Sequence, residues 1–367
     1  MTPEQRLQTV LSLGKPDRIL CAPLIESYAG RRAGLSNYEF MYDYNKAEQA
    51  FDQLHQEHPS WNVMRSVYFV FHGPIQTAIG FMKPMMPGVD LSPESEYQMV
   101  EYEAITRKDY EFILDAGYST FLHEYWKRVH QVSEEEIAKA SRLQLDVLKS
   151  QIRNAKRRGQ VFLYGGFTVL APPLICMMRS LEQFIRDMYQ VPTLLEQVLE
   201  EVTAELIAWG IASARETGIP RVFIGIARLT CQLISVSFFE RFVWPYMKKT
   251  VFGLLDAGIT PVLHLDSDWT KNLEYFLELP AGKVVIELDS TTDIFQAHRV
   301  LRGHTCIIGD VSAPLFTLGT PERVQQYCQK LIHELGQDGG FILGSGCHIP
   351  LLAKHENVDA FFHSVEE

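Results

Sequence analysis

Short apolar runs recur along the chain, and the segments between them repeat apolar residues at the three-to-four spacing of amphipathic helices. Eight runs stand out, at 19–25, 63–70, 160–165, 222–226, 260–265, 283–288, 305–309 and 340–343. Few polar residues interrupt them, as expected of parallel strands buried on both faces. The intervening stretches carry helix punctuation. Ser133 followed by Glu136 fits a capping box, and Gly159 stops that long helix. Thr320 caps another, with Pro321 in its first turn. Eight strands alternating with helices predict an α/β fold, a (β/α)8 TIM barrel with an N-terminal helical extension, in a single domain over 1–367. An open doubly wound sheet is the alternative, but no GxGxxG follows the first run.

The span 71–159 is too long for one barrel helix and its loops, which predicts an insertion after the second strand. Its opening, from Phe71-His72-Gly73-Pro74 through Met82, Met85 and Met86 to Pro87, gathers aromatics, methionines and prolines. That mixture suits a lid over an apolar ligand, and it suits equally a hydrophobic edge packed on the barrel.

Charge narrows the partners. With 34 Lys and Arg against 45 Asp and Glu, the net charge of −11 repels phosphate backbones, so nucleic acid is not expected as a partner. The densest basic run, Lys156-Arg157-Arg158, falls at a predicted helix end, where cations offset the helix dipole. Six cysteines at 21, 176, 231, 306, 328 and 347 form no close CxxC pair, which argues against a disulfide framework or zinc ribbon and for a reducing, cytoplasmic setting. The first residues lack the apolar stretch of a signal peptide, and no charge-free run reaches the roughly eighteen residues that span a bilayer. No membrane association is expected, and the oligomeric state, homodimer included, stays open.

In a barrel, residues just past the C-terminal ends of the strands share one mouth. Glu26, His72, Tyr164, Arg228, His264 with Asp266, Glu287 with Asp289, Asp310 and Cys347 occupy those positions. His264 and Asp266 lie two apart, so on a strand both face one side and could hold one ion. Cys347 would add sulfur from the eighth strand; catalytic zinc commonly has three protein ligands and one open position. The residues alone leave other readings open: His264 as a rim histidine, Asp266 as a helix cap, Cys347 as a packed thiol. The glycines of Gly344-Ser345-Gly346 are expected to let the chain bend sharply so that Cys347 approaches an ion, with His348 as a rim neighbour.

The segments "GGFILGSGCHIP…HENV" at 339–358, "GDVSAPLFTLGTPERV" at 309–324 and "LHLD" at 263–266 resemble the uroporphyrinogen decarboxylase superfamily, and within it the zinc-dependent, corrinoid-linked methyltransferases. "ISVSFFERFVWPY" at 234–246 and "SLEQFIRDMYQVP" at 180–192 extend the resemblance weakly along the chain. In that branch a His-x-Cys pair and a later Gly-Cys ligate zinc, which implies zinc binding by His264 and Cys347. Asp266 stands where the branch has its first cysteine, and Glu26 would close the resting site as a displaceable fourth ligand. The decarboxylases have histidine where Cys347 stands, and their Arg-Gln-Ala-Gly-Arg segment has only an echo in Ala29-Gly30-Arg31-Arg32.

The departure at Asp266 bears on the chemistry that the resemblance implies. Two thiolates suit a zinc that holds a thiol acceptor, whereas a carboxylate makes the ion harder and better matched to an oxygen substrate. The implied activity is methyl transfer from an aromatic methyl ether of the veratrol or vanillate type to the Co(I) corrinoid (cobalamin) of a separate corrinoid-binding protein, as the first component of an O-demethylase. Phe71, Met85, Tyr164 and Arg228 are expected to bind substrate, and Glu26 and Asp310 to support catalysis. The alternatives are methylcobalamin:thiol transfer to coenzyme M or homocysteine, a decarboxylase-like reaction, and a non-catalytic barrel that binds the corrinoid protein.

Overall fold

A computed structural model describes residues 1–366. Its strands are β1 (Val63–Met64), β2 (Lys83–Met85), β3 (Gln98–Val100), β4 (Val161–Phe162), β5 (Gly166–Val169), β6 (Arg221–Ile226), β7 (Thr260–Leu265), β8 (Val285–Leu288), β9 (Cys306–Val311) and β10 (Phe341–Ser345). The last six form one parallel sheet in the order β10-β9-β8-β7-β6-β5, and β1 pairs in parallel with β4. Single hydrogen bonds carry the arrangement onward. Leu163 N donates to Met64 O at 2.9 Å and Gly165 N to Arg221 O at 2.7 Å. On the other side Ala22 N donates to Leu343 O at 2.8 Å and Val63 N to Cys21 O at 3.1 Å. Eight parallel segments therefore follow one another in barrel order, with helices between them.

The regular sheet follows the apolar runs closely, and its strands are buried along almost their whole length. The first three runs depart from expectation. Run 19–25 makes only isolated parallel bridges, at Cys21 with Leu343 and at Leu24 with Arg65 and His348. Run 63–70 stays extended for two residues and then becomes the helix Tyr68–Phe71. The cause is a tertiary contact: the Glu26 carboxylate accepts from Ser66 Oγ at 3.1 Å and from Val67 N at 2.8 Å, which draws the chain out of the ladder. Run 160–165 is interrupted before β5, where the backbone packs too closely for side chains. A Cβ on Gly165 would lie 1.9 Å from Ile219 O, and one on Gly166 2.1 Å from Ser213 Oγ.

Between 71 and 159 lie the antiparallel pair β2–β3 and the helices Arg107–Ala116, Tyr118–His130 and Glu134–Arg157. Ser133 and Glu136 form the capping box expected of them, and Gly159 takes φ +78° just beyond the helix end, a conformation that costs glycine little. Thr320 caps Pro321–Leu335 by accepting from Arg323 N. Among the described residues, no helix is long and apolar enough to cross a membrane.

Candidate metal centre

Strand register builds the centre. Gly225, His264 and Glu287 are neighbours across β6, β7 and β8, so the His264 ring stands beside the Glu287 carboxylate, with Phe223 of β6 packed on it at 5.2 Å. His264 Nδ1 lies 2.8 Å from Glu287 Oε2, and Tyr164 donates its hydroxyl to Glu287 Oε1 at 2.5 Å. Arg65 approaches the same oxygen at 4.0 Å, and its Nη2 donates to Ser345 O at 2.7 Å. This buried network leaves His264 Nε2 facing Asp266 Oδ1 at 3.4 Å and Cys347 Sγ at 3.8 Å.

One ligand atom from each of His264, Asp266 and Cys347 lies within 4.8 Å of the others, the arrangement needed to hold a metal ion. Tetrahedral zinc with bonds of about 2.0 Å to nitrogen or oxygen and 2.3 Å to sulfur places its ligand atoms roughly 3.3 to 3.5 Å apart. The two separations from His264 Nε2 need only small adjustment, and an N, O, S donor set suits that ion. The histidine nitrogen is fixed by Glu287, as outer partners of metal ligands commonly do.

Without an ion, electrostatics couple the same groups as an imidazolium–thiolate pair, whose ring proton a bound metal would displace. Burial opposes a charged His264, yet Asp266, Cys347 and Glu287 hold its ring well above the ordinary imidazole value. Burial alone would raise the Cys347 thiol, but hydrogen bonds with His264 and His348 bring it down to about 6. The thiolate, the form that binds metal, is therefore favoured at neutral pH. His348, with Nδ1 3.8 Å from the sulfur, is pushed up to about 9 against its burial by that thiolate and by Glu96 and Glu26.

The glycines flanking Ser345 act differently from expectation. Neither takes positive φ. They permit close approach: a Cβ on Gly346 would lie 2.6 Å from Asp289 O, and one on Gly344 3.0 Å from Ala22 O. Cys347 is thus seated against the β8 loop.

The three donors open onto a cavity of about 360 Å3 walled by Phe71, Phe81, Met82, Tyr97, Phe167, Met177, Trp209 and Phe223, with Glu26, Glu96 and His348 as polar groups. Among the described residues no lysine or arginine lines it. Phe71 lies on the wall, stacked on Tyr97 at 5.4 Å. Glu26 also lines the cavity, outside the close group of three; burial raises its carboxyl to about 7 despite hydrogen bonds from Val67 and Ser66.

Four expected site residues stand elsewhere. Tyr164 is buried behind Glu287 and does not reach the cavity. Arg228 pairs with Glu101 at 2.7 Å, which holds it away from the wall. Met85 lies on the outward face of β2 and is exposed, while Met82 fills the place expected of it. Asp310 accepts from Tyr327 at 2.6 Å, and burial raises its carboxyl to about 7, away from the cavity. His72 is also buried apart, against Tyr68, and burial brings it down to about 4. Asp289 anchors the β8 loop by accepting from Ser267 N. The reading of single residues missed Arg65, Glu96, Tyr97, Trp209 and the closeness of His348. Only Arg65, a charge inside an apolar run, offered a sequence signal.

Fold and donors together define a barrel-type α/β protein with a candidate metal site at the C-terminal ends of its strands. The family model described as Uroporphyrinogen decarboxylase (URO-D) matches residues 111–367, and the chain belongs to that family. Two curated uroporphyrinogen decarboxylases are similar over part of it. That of Pseudoalteromonas translucida (strain TAC 125) is 29% identical over 140 residues, 37% of this chain and 38% of the relative. That of Shewanella halifaxensis (strain HAW-EB4) is 31% identical over 134 residues, 35% of this chain and 36% of the relative. The chain thus spans little more than a third of the length of these relatives. A methyltransferase from Methanosarcina mazei shares the fold, with TM-score 0.71 at 15% identity over 100% of this chain and 98% of that one.

Proposed function

We propose that the protein is a zinc-dependent methyltransferase that moves a methyl group from a neutral aromatic methyl ether to the Co(I) corrinoid of a separate protein. The observation that carries this reading is the convergence of imidazole, carboxylate and thiolate on the wall of an aromatic-lined cavity with no lysine or arginine. Zinc held by His264, Asp266 and Cys347 would supply Lewis acidity toward the ether oxygen, stabilising the phenolate charge that develops as the methyl leaves. The partner's corrinoid would supply the nucleophile.

The chain's own residues position and exclude. Glu287 fixes His264 through Nδ1, and Tyr164 and Arg65 hold Glu287 in turn. Phe71, Phe167, Phe223, Met82 and Trp209 provide apolar contact for a ring and keep water from it. Glu26, engaged through Oε1 by Ser66 and Val67, keeps its proposed role as displaceable fourth ligand. With Arg228 committed to Glu101 and His348 engaged by the Cys347 sulfur, no free lysine or arginine on the wall pairs with a ring carboxylate, so veratrol is expected to be a better substrate than vanillate.

The same cavity argues against the decarboxylation after which the family is named. A substrate bearing several carboxylates calls for arginines around them. Arg31 here donates to Leu351 O and Ala353 O, and Arg32 pairs with Glu57 and Asp359. The test combines zinc content with methyl transfer from veratrol to Co(I) cobalamin, in the wild type and in His264→Ala, Asp266→Ala and Cys347→Ser. Stoichiometric zinc and demethylation, both lost in Cys347→Ser, are expected. Zinc-loaded protein that methylates only thiols would reject the ether reading.

A further inference from the structure

Gln76 lies in the helix Gly73–Ile79, is only 3% exposed and lines the metal-bearing cavity among the apolar side chains of Ile75, Ile79 and Met99. Its amide is seated from one side. Nε2 donates to Met99 Sδ at 3.6 Å, and Gly80 leaves the space the amide needs, since a Cβ there would lie 2.8 Å from that nitrogen. Gly80 is itself fixed, with His130 Nε2 2.8 Å from its carbonyl oxygen. The amide oxygen Oε1 is different. It accepts from no group among the described residues and, unlike orphans sealed in the interior such as Trp126 Nε1, it keeps accessible surface on a residue whose open side is the cavity. A largely buried acceptor facing an apolar space is unfavourable until a donor meets it.

The helix Glu134–Arg157 gives the position of this oxygen relative to the metal donors. Glu26, at the metal end, accepts from Ser66 Oγ, which in turn accepts from Gln151 of that helix. Gln144 lies seven residues earlier, about 10 Å away along the axis, and also lines the cavity. From Ser66 the chain runs through Tyr68–Phe71 to Gly73–Ile79, packing on the same helix as it goes, and Ile79 joins Gln144 on the wall. Gln76 therefore faces the part of the cavity remote from Glu26 and the three donors.

We propose that Gln76 is a specificity-determining residue: its Oε1 accepts a hydrogen bond from a hydroxyl on the substrate ring, placed opposite the ether oxygen that reaches the metal. The ligand class narrows to neutral methoxyphenols with the hydroxyl para to the methoxy group. The proposal rests on the methyl-ether reading for the orientation of the ring. It adds the feature that separates such a phenol from veratrol, whose oxygens can only accept.

Calorimetric titration of the full-length protein with p-methoxyphenol and with p-methylanisole, which carries methyl in place of the hydroxyl, reads the effect as a ratio of affinities. The wild type is expected to bind p-methoxyphenol about tenfold more tightly, the worth of one hydrogen bond to an otherwise unpaired acceptor. Gln76→Met keeps the length of the side chain and removes the amide, and should bring the ratio close to one. Gln76→Asn, which withdraws the amide from the ring, is the second variant and should do the same. A general loosening of the cavity weakens both ligands and does not move a ratio taken within one variant. o-Methoxyphenol, compared with o-methylanisole, should gain nothing from Gln76. Methyl transfer to Co(I) cobalamin, followed with the same proteins, tells the two readings apart. A Gln76-dependent ratio without transfer would reject the methyl-transfer reading and leave this assignment standing, whereas transfer with a ratio indifferent to Gln76 would reject the assignment alone. A wild-type ratio near one, a ratio unchanged in both variants, or a Gln76-dependent preference shown by the ortho compound instead would overturn the proposal.

Discussion

The two halves of the barrel are built to different standards of regularity. From β5 to β10 the strands pair residue by residue, and that register sets His264 beside Glu287. From residue 19 to 165 the parallel pairing thins to the two-residue ladder β1–β4, bridges and single hydrogen bonds, and the chain leaves the ladder at Val67 and again at Gly165. The regular half holds donor atoms at fixed separations. The irregular half releases Phe71, Phe81 and Tyr97 from strand geometry and lets them wall a cavity. The division suits the two tasks: ligand atoms require tight placement, whereas an apolar wall needs volume and shape.

The sharpest way to break this contrast is to remove the carboxylate on which the regular half converges. Burial would raise the Glu287 carboxyl, but Arg65 and His264 outweigh it and keep it below the usual carboxylate range. Glu287→Ala strands Arg65 with its charge buried and leaves Tyr164 without an acceptor. A loss of about 3 to 5 kcal/mol in stability is expected, measured by urea denaturation of metal-free protein. A loss under about 1 kcal/mol would mean that the network does not hold the regular half together.

This difference between the halves also explains what could be read in the sequence. Strands β6 to β10 are continuous apolar runs buried on both faces, so composition alone marks them. The two-residue spacing of His264 and Asp266 survives translation into β7 and the turn after it, and the pair meets Cys347 as expected. In the irregular half the same apolar signal misleads. Val67 to Val70 reads as strand, yet a carboxylate 41 positions away in the chain, that of Glu26, captures the Val67 amide. Tyr164 and Arg228, expected to bind substrate, and Asp310, expected to support catalysis, stand away from the cavity for one shared reason: position at a strand end says where the backbone goes, while Glu287, Glu101 and Tyr327 decide where each side chain goes; Met85, expected from the insertion, faces solvent instead.

Asp310 sharpens the comparison within the regular half. Its carboxyl, ordinarily near 3.8, is raised by burial to about 7. The folded state therefore favours the protonated form. The stabilisation is complete below the unfolded value, near 3.8, and is lost as pH rises through about 7, a change of roughly 4 kcal/mol. Asp310→Asn, which still accepts from Tyr327, should flatten that part of the stability profile relative to wild type. Because Glu26 is raised into the same window, the informative quantity is the difference between the two proteins at pH 5 and pH 8. Identical profiles would show Asp310 to be ionised throughout.

The smallest effect tests the irregular half, where packing rather than register sets the structure. Gly30 lies in the helix Ser27–Arg32, and a Cβ there would stand 2.7 Å from both Cβ and Cδ2 of Phe40. Phe40 is fully buried and meets Phe51 and Tyr68 edge to face, and Tyr68 donates to Phe40 O at 2.6 Å, so the ring has little room to retreat. Alanine favours the helical conformation by about 1 kcal/mol over glycine, which partly offsets the clash. Overpacking of this kind costs about 1 to 3 kcal/mol, leaving a net loss of up to about 2 kcal/mol in Gly30→Ala, measured by thermal denaturation. Register in β6 to β10 does not depend on this contact, so zinc stoichiometry should be unchanged. If zinc binding fell with stability, the two halves would be one cooperative unit at the metal centre, and the division of labour between them would not hold.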